Sequence, residues 1–186
     1  MKVLGISGSL RRDSHNTALL SVAAELLPDG VELELWDGLK AVPPYDEDDD
    51  QESAPAAVAN LRDAIAGADA ILFSTPEYNH SVPGQLKNAI DWASRPLATN
   101  PLRNKPVAVV GASMGAFGAV WAQAELRKVL AATGARVVEG EVALGHAHTK
   151  FDADGRLVDD DRRQELEEVV DSLVTVARAR DLVAAA

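Results

Sequence analysis

Gly5-Ile6-Ser7-Gly8-Ser9-Leu10-Arg11-Arg12-Asp13-Ser14-His15-Asn16 leaves an apolar run and enters an amphipathic one without a break. Val3, Leu4 and Ile6 read as a short buried strand, and Gly8 relieves crowding at the turn. Leu19, Leu20, Ala23, Ala24, Leu26 and Leu27 then follow at helical spacing. The loop therefore delivers a helix N-terminus to the carboxyl end of strand one. Orphan backbone N–H groups and a partial positive charge gather there and attract an anion. Ser9, Ser14, Asn16 and Thr17 add neutral donors, and Arg11 or Arg12 adds a full charge. The stretch is not a P-loop, because no Lys follows a second Gly at the required spacing, and it lacks the G-x-G-x-x-G register of a dinucleotide fingerprint. Two readings stand: a phosphate loop, or a turn whose Ser14 or Asn16 only caps the helix.

The 186 residues suit one domain, 1–186, with a proper core. A formal net charge of −11 argues against nucleic-acid backbones and anionic membranes as partners. With no cysteine, disulfides and thiolate chemistry are excluded. The chain runs from Met1 straight into a strand and has no apolar stretch near the roughly 20 residues that span a bilayer, so a cytoplasmic protein is expected.

Outward from the opening loop, Pro28-Asp29-Gly30 is a turn, and Val31, Leu33 and Leu35 alternate with Glu32 and Glu34 as in an edge strand. Residues 36–55, with Pro43, Pro44 and the run Asp46-Glu47-Asp48-Asp49-Asp50, read as a solvated loop; consecutive like charges favour that over a metal site. A helix is expected over 56–66, ended by Gly67, then a strand at Ala70–Ser74. Next come the turn formers Thr75 to Gly84 and a helix from Gln85 to Ser94. Val107-Ala108-Val109-Val110 is a buried strand leading into the small residues Gly111 to Gly118, and a helix follows over Val120–Ala132. Arg136 to Leu144 reads as a fifth strand. The Asp152-Ala153-Asp154-Gly155 turn lacks the closing Glu of a calcium loop, and the last helix starts near Asp160 or Asp161 with Gln164 placed for a capping box. Five strand–helix alternations predict an α/β protein, an open parallel sheet with helices on both faces, and the loops at Ser9, Pro76 and Ser113 converge at one sheet edge.

Gly8-Ser9-Leu10-Arg11 with Ser14 and Asn16, then Pro76-Glu77-Tyr78-Asn79-His80-Ser81-Val82-Pro83-Gly84 with Leu86-Lys87-Asn88-Ala89-Ile90-Asp91-Trp92, resembles the NAD(P)H-dependent FMN reductase family. The resemblance extends over essentially the whole chain. It implies a flavodoxin-like three-layer sandwich with a five-stranded parallel sheet in the order 2-1-3-4-5. It also implies FMN as cofactor, NADPH or NADH as donor, and a small acceptor: a quinone, azo compound, chromate or free flavin. On this resemblance Ser9, Leu10, Arg11, Ser14, Asn16 and Thr17 hold the FMN phosphate. Pro76, Glu77, Tyr78 and Asn79 hold the ring and ribityl region, and Ser113, Met114 and Gly115 approach the ring. Arg12, Asp13 and His15 read as solvent-facing, Trp92 as core, and Lys87 and Asn88 as helix surface or interface; His80 is given no role. No catalytic side chain is implied, because hydride transfer needs no protein acid or base. Arg11, Arg12 and Arg103 are candidates for a 2′-phosphate of NADPH. Members of the family are commonly homodimers or homotetramers.

Two other functions compete. Gly111-Ala112-Ser113-Met114-Gly115 matches G-x-S-x-G, which would make Ser113 an esterase nucleophile served by Glu125, Glu139 or Glu141 and by His146 or His148. His146 and His148 alone lack a third metal ligand. An FMN-binding electron carrier or regulatory module without NAD(P)H turnover would share the same fold.

Overall fold

The computed structural model describes residues 1–50 and 54–184, with side chains described through residue 180. Its sheet is parallel throughout. Strands β1 (Lys2–Ser7), β2 (Glu32–Trp36), β3 (Ala70–Thr75), β4 (Pro106–Ala112) and β5 (Arg136–Val137) run in the order β2-β1-β3-β4-β5, and a sixth, β6 (Ala143–Leu144), also pairs with β4. The 2-1-3-4-5 order expected from the resemblance is thus present. Helices α1 (His15–Glu25), α2 (Ala56–Ala66), α3 (Gly84–Ala93), α4 (Val120–Ala132) and α5 (Asp160–Ala184) connect and cover the strands.

Burial explains the layers. β3 and β4 are buried at every residue, as strands covered on both faces must be, whereas β2 is an edge strand with Leu35 exposed. Leu19, Leu20 and Ala23 of α1 and Leu166, Val170 and Leu173 of α5 pack with Val3, Leu72 and Val110 on one face. Leu61 and Ile65 of α2, Leu86 and Ile90 of α3, and Leu126 and Leu130 of α4 pack with Leu4, Ile6, Phe73 and Val109 on the other. Alternate residues of each strand feed opposite cores, the period of two that a pleated strand imposes. Trp92 is fully buried, as expected, and its indole N–H donates to the Pro43 carbonyl at 2.9 Å. No helix among the described residues is long and apolar enough to cross a membrane.

Three segments differ from the sequence reading. The expected strand over 136–144 is two short pieces with a break between them. Val138 N–H still reaches the Val107 carbonyl at 2.8 Å, and Gly111 N–H the Val142 carbonyl at 3.0 Å. Between the pairs Val107–Val137 and Gly111–Ala143 five residues oppose three, and Gly140 sits at φ +117°. The carbonyl of Val109, left without a strand partner, is satisfied by Arg127 of α4, whose Nη2 donates to it at 3.0 Å and also to the Gly140 carbonyl.

The loop after β2 is more ordered than its polarity suggests. Leu39 and Val42 are buried, and α3 holds the loop through polar side chains: Gln85 Nε2 donates to the carbonyls of Leu39 and Val42 at 2.8 Å each, and Asn88 joins Pro43 and Tyr45 at 2.7 Å each. Asn88 is therefore a structural clamp, while Lys87 pairs with Asp91 along the helix at 2.6 Å. Asp46 caps its own turn and Asp50 pairs with Arg62 at 2.7 Å; residues 51–53 of that loop lie outside the described residues. Finally, α5 is capped by Asp159, whose carboxylate accepts from Arg162 N–H at 3.2 Å; Gln164 makes no capping box and donates instead to Glu168.

Candidate active site

Right-handed crossovers bring the loops after β1, β3 and β4 to the carboxyl ends of the central strands. Close packing seats the first of them. Gly8 N–H donates to the Ser74 carbonyl at 2.8 Å, and a Cβ at Gly8 would lie 2.8 Å from Leu86 Cδ2 and 3.2 Å from Pro76 Cδ. Ser14 is the N-cap of α1, its Oγ accepting from the N–H groups of Asn16 at 3.1 Å and Thr17 at 3.4 Å. Asn16 is buried, and its side chain spans two strands. Oδ1 accepts from Ser74 Oγ at 2.9 Å and Ala112 N–H at 3.0 Å, and Nδ2 donates to the Ala112 carbonyl at 3.0 Å. Among the described residues, one amide hydrogen of Asn16 is left over.

The second loop is joined to the third by a carboxylate. Glu77 Oε2 accepts from the N–H groups of Trp121 and Ala122 at 3.1 Å each, capping α4 from a different loop. Asn79 and His80 adopt φ of +53° and +60°, and Tyr78 and Ser81 exchange backbone hydrogen bonds of 3.3 and 3.1 Å around them. This two-residue left-handed turn presents Tyr78 to solvent. Ser81 Oγ donates to Glu125 at 2.6 Å, which fixes the loop to α4 a second time. His80, given no role by sequence, stands edge-on to Trp121 with ring centres 4.5 Å apart and lies 3.5 Å from Glu77.

Between the loops is a cleft of about 300 Å³. Ser9, Arg11, Ser14, Asn16, Pro76, Glu77, Tyr78, Ser113 and Met114 line it, so nine of the residues expected from sequence come together. Leu10 and Thr17 instead line an adjoining cavity of about 280 Å³ that shares Ser9 and Arg11. Asn79 and Gly115 line neither: Asn79 is at the tip of its turn, and Gly115 is bound back through Ser113 Oγ and His146 N–H. Ala112 and His15 also line the cleft. His15 is half-buried rather than solvent-facing, its ring stacked on Phe151 with centres 5.8 Å apart. Nothing local marked this, since the stacking partner is far along the chain. Burial, then the charges of Arg11 and His148, hold the His15 imidazole below its ordinary value of 6.5.

A larger cavity of about 620 Å³ lies at the opposite end of the strands, lined by Lys87, Arg95, Arg103 and Thr133 among others. Arg103 is therefore not beside the cleft; it stands where the chain enters β4 and donates to the Leu97 carbonyl at 3.3 Å.

The esterase arrangement is not assembled among the described residues. Ser113 is followed by a six-residue loop before α4 begins at Val120, not by the tight strand-to-helix elbow that exposes a nucleophile. Glu125 is engaged by Ser81, Glu141 by Arg127, and no glutamate bonds to His146 or His148. A different chemistry fits the donor set. At one end Arg11, the hydroxyls of Ser9 and Ser14 and the start of α1 surround the space. The second and third loops add exposed Tyr78 and Met114 and the small Ala112 and Ser113. Donors at one pole and an apolar, flat-sided mouth at the other suit a phosphate monoester carrying a planar ring, as FMN is.

A doubly wound flavodoxin-like α/β protein with its ligand cleft at the switch point between β1 and β3 is the class that this fold and site define. The family model for NADPH-dependent FMN reductase matches residues 1–149. An NAD(P)H-dependent FMN reductase of Pseudomonas aeruginosa is 47% identical over 174 residues, 93% of each chain. A 2-hydroxy-1,4-benzoquinone reductase of a Burkholderia species is 38% identical, covering 97% of this chain and 98% of its own. Among solved structures, a flavoenzyme NAD(P)H:(acceptor) oxidoreductase from Paracoccus denitrificans superimposes with a TM-score of 0.86 at 38% identity, over 96% of this chain and 97% of that one. The chain belongs to the NADPH-dependent FMN reductase family, and it is an FMN-dependent oxidoreductase that uses NAD(P)H.

Proposed function

We propose that the protein is a quinone reductase in which the cleft between the Ser9, Pro76 and Ser113 loops holds FMN and leaves room at its Tyr78 mouth for donor and acceptor in turn. The observation that carries this reading is the polarity of this cleft. Cationic and hydroxyl groups gather at the α1 end, and exposed Tyr78 and Met114 stand at the other. Bound FMN would supply the redox chemistry, hydride acceptance from NAD(P)H and two-electron reduction of the acceptor. The protein's part is to bind and orient. Ser9, Arg11 and Ser14 hold the phosphate, with Leu10 and Thr17 flanking from the adjoining cavity and Asn16 keeping the loop in place. Pro76, Glu77 and Tyr78 form one wall for the ring and ribityl chain, with Asn79 in the turn that carries Tyr78, and Ser113 and Met114 form the other, with Gly115 bound back behind them. A planar quinone suits the exposed aromatic mouth, and relatives named for quinones support it. The chain acts as one domain, 1–186, in the cytoplasm. Exposed Phe117 and Trp121 beside the mouth support assembly as a homodimer or homotetramer.

The test is a visible spectrum followed by anaerobic addition of NADPH or NADH and then 1,4-benzoquinone. The expected result is a yellow protein that bleaches with a donor and regains its colour with the quinone. Bleaching without reoxidation would rule out the quinone, and a flavin colour that no donor bleaches would identify a carrier instead.

A further inference from the structure

His15 begins α1 and lines the cleft together with Ser9, Arg11 and Ser14. Its ring is parallel to Phe151 within 6°, so the imidazole face is covered and its position is fixed while the residue remains half-exposed toward the cleft. We propose that His15 is a phosphate-selecting residue that takes up a proton when a phosphate monoester dianion enters the cleft, making retention of FMN, but not of riboflavin, depend on pH. This rests on the reading that the FMN phosphate occupies the α1 end.

The charges around His15 set the direction. Arg11 precedes it in the loop and His148 approaches from the segment after β6, and both oppose a proton on the imidazole. His146 lies against His148, with ring centres 6.4 Å apart. Lys150 is neutralised by Asp159 at 2.6 Å, and the Glu77 carboxylate in the same cleft is committed to the α4 amides. Arg12 and Asp13, the adjacent loop charges, are exposed. Without an anion, burial and these charges favour the neutral imidazole. A phosphate dianion reverses the local field, and an opposite charge within a few ångström favours the imidazolium. The balance is simple: neutral His15, the dianion and one proton from solvent give an imidazolium–phosphate pair, with no bond broken.

The experiment is titration calorimetry on the full-length flavin-stripped protein, between pH 7.0 and 8.5, in buffers of different ionisation heat. Free FMN has its second phosphate pKa near 6, so the ligand is largely the dianion throughout this window. Wild type is expected to take up close to one proton with FMN at pH 7.5 and none with riboflavin. Its FMN affinity should fall as pH rises, by up to about tenfold per unit. His15→Phe, which keeps a ring against Phe151, should bind riboflavin unchanged and bind FMN more weakly, without proton uptake. His15→Gln should behave likewise, and His148→Gln should retain the uptake. FMN binding without proton uptake in wild type, or uptake lost in His148→Gln but kept in His15→Phe, would overturn the assignment while leaving the FMN site intact. Equal affinity for FMN and riboflavin would overturn the phosphate reading beneath it.

Discussion

Asn16 and Ala112, 96 positions apart, are joined by a reciprocal pair of hydrogen bonds. The side-chain amide of Asn16 donates to the Ala112 carbonyl and accepts from its N–H, both at 3.0 Å. The pair mimics one rung of a sheet and ties the start of α1 to the end of β4, with Ser74 of β3 completing the junction. The helix that follows β1 and the ends of β3 and β4 thus meet on one buried amide.

Asn16→Ala leaves the buried polar groups of Ala112 without partners, at a cost of about 1–3 kcal/mol. For a chain of this length that is a fall in melting temperature of about 2–4 °C per kcal/mol. FMN affinity should fall as well, because the loops lose their shared anchor. Thermal unfolding with and without FMN checks both.

Glu77→Ala removes the cap that α4 receives from the second loop, and it should lower the unfolding free energy by about 0.5–2 kcal/mol. Glu77→Gln keeps an acceptor for the Trp121 and Ala122 amides and should lose less. Urea unfolding curves of the two variants, compared at equal slope, separate the hydrogen bonds from the charge.

Arg127→Met should cost about 1–3 kcal/mol, since the Val109 carbonyl is buried and its strand partner is absent. The accompanying sign is faster amide exchange at Val138 and Gly111, the last ladder bonds on either side of the break. Unchanged exchange there would mean that the two strand pieces hold without the guanidinium.

Acid sensitivity follows from two carboxylates. The Ser81 hydroxyl, and then the Val82 N–H, hold Glu125 below its ordinary 4.5, and the hydrogen bond from Lys150 holds Asp159 below 3.8. Both folded values are depressed, so each contribution is fully present above the ordinary value and is lost as pH falls through the folded one. Ser81→Ala should therefore flatten the decline of stability below about pH 4.5 and leave pH 7 to 8 unaffected in slope. Urea midpoints from pH 3 to 8 check it.

The strands and helices were legible because their burial has a period. Val3, Leu4 and Ile6 and the Val107 to Val110 run announce buried strands, and the bounds of α2 and α4 agree with the sequence reading. The cleft was legible as three loops at one sheet edge. What stayed hidden depends on distant partners: the anchoring of Asn16 on Ala112, the stacking of His15 on Phe151, and the Arg127 bridge that lets the 136–144 segment break. Gln164 illustrates the reverse: with Asp159 as the N-cap, the third helical position is Arg162, so Gln164 lies two residues too far along to close a capping box.

Every role assigned to this site depends on a phosphate at the α1 end of the cleft. Fluorescence titration of the flavin-stripped protein with FMN and with riboflavin, at pH 7 and low salt, tests that directly. Charge-assisted hydrogen bonds contribute about 1.5–3 kcal/mol each, so FMN should bind at least about tenfold more tightly, and Arg11→Ala should narrow the gap by a similar factor while riboflavin affinity holds. Equal affinities for the two flavins, or a gap that Arg11→Ala leaves untouched, would contradict it.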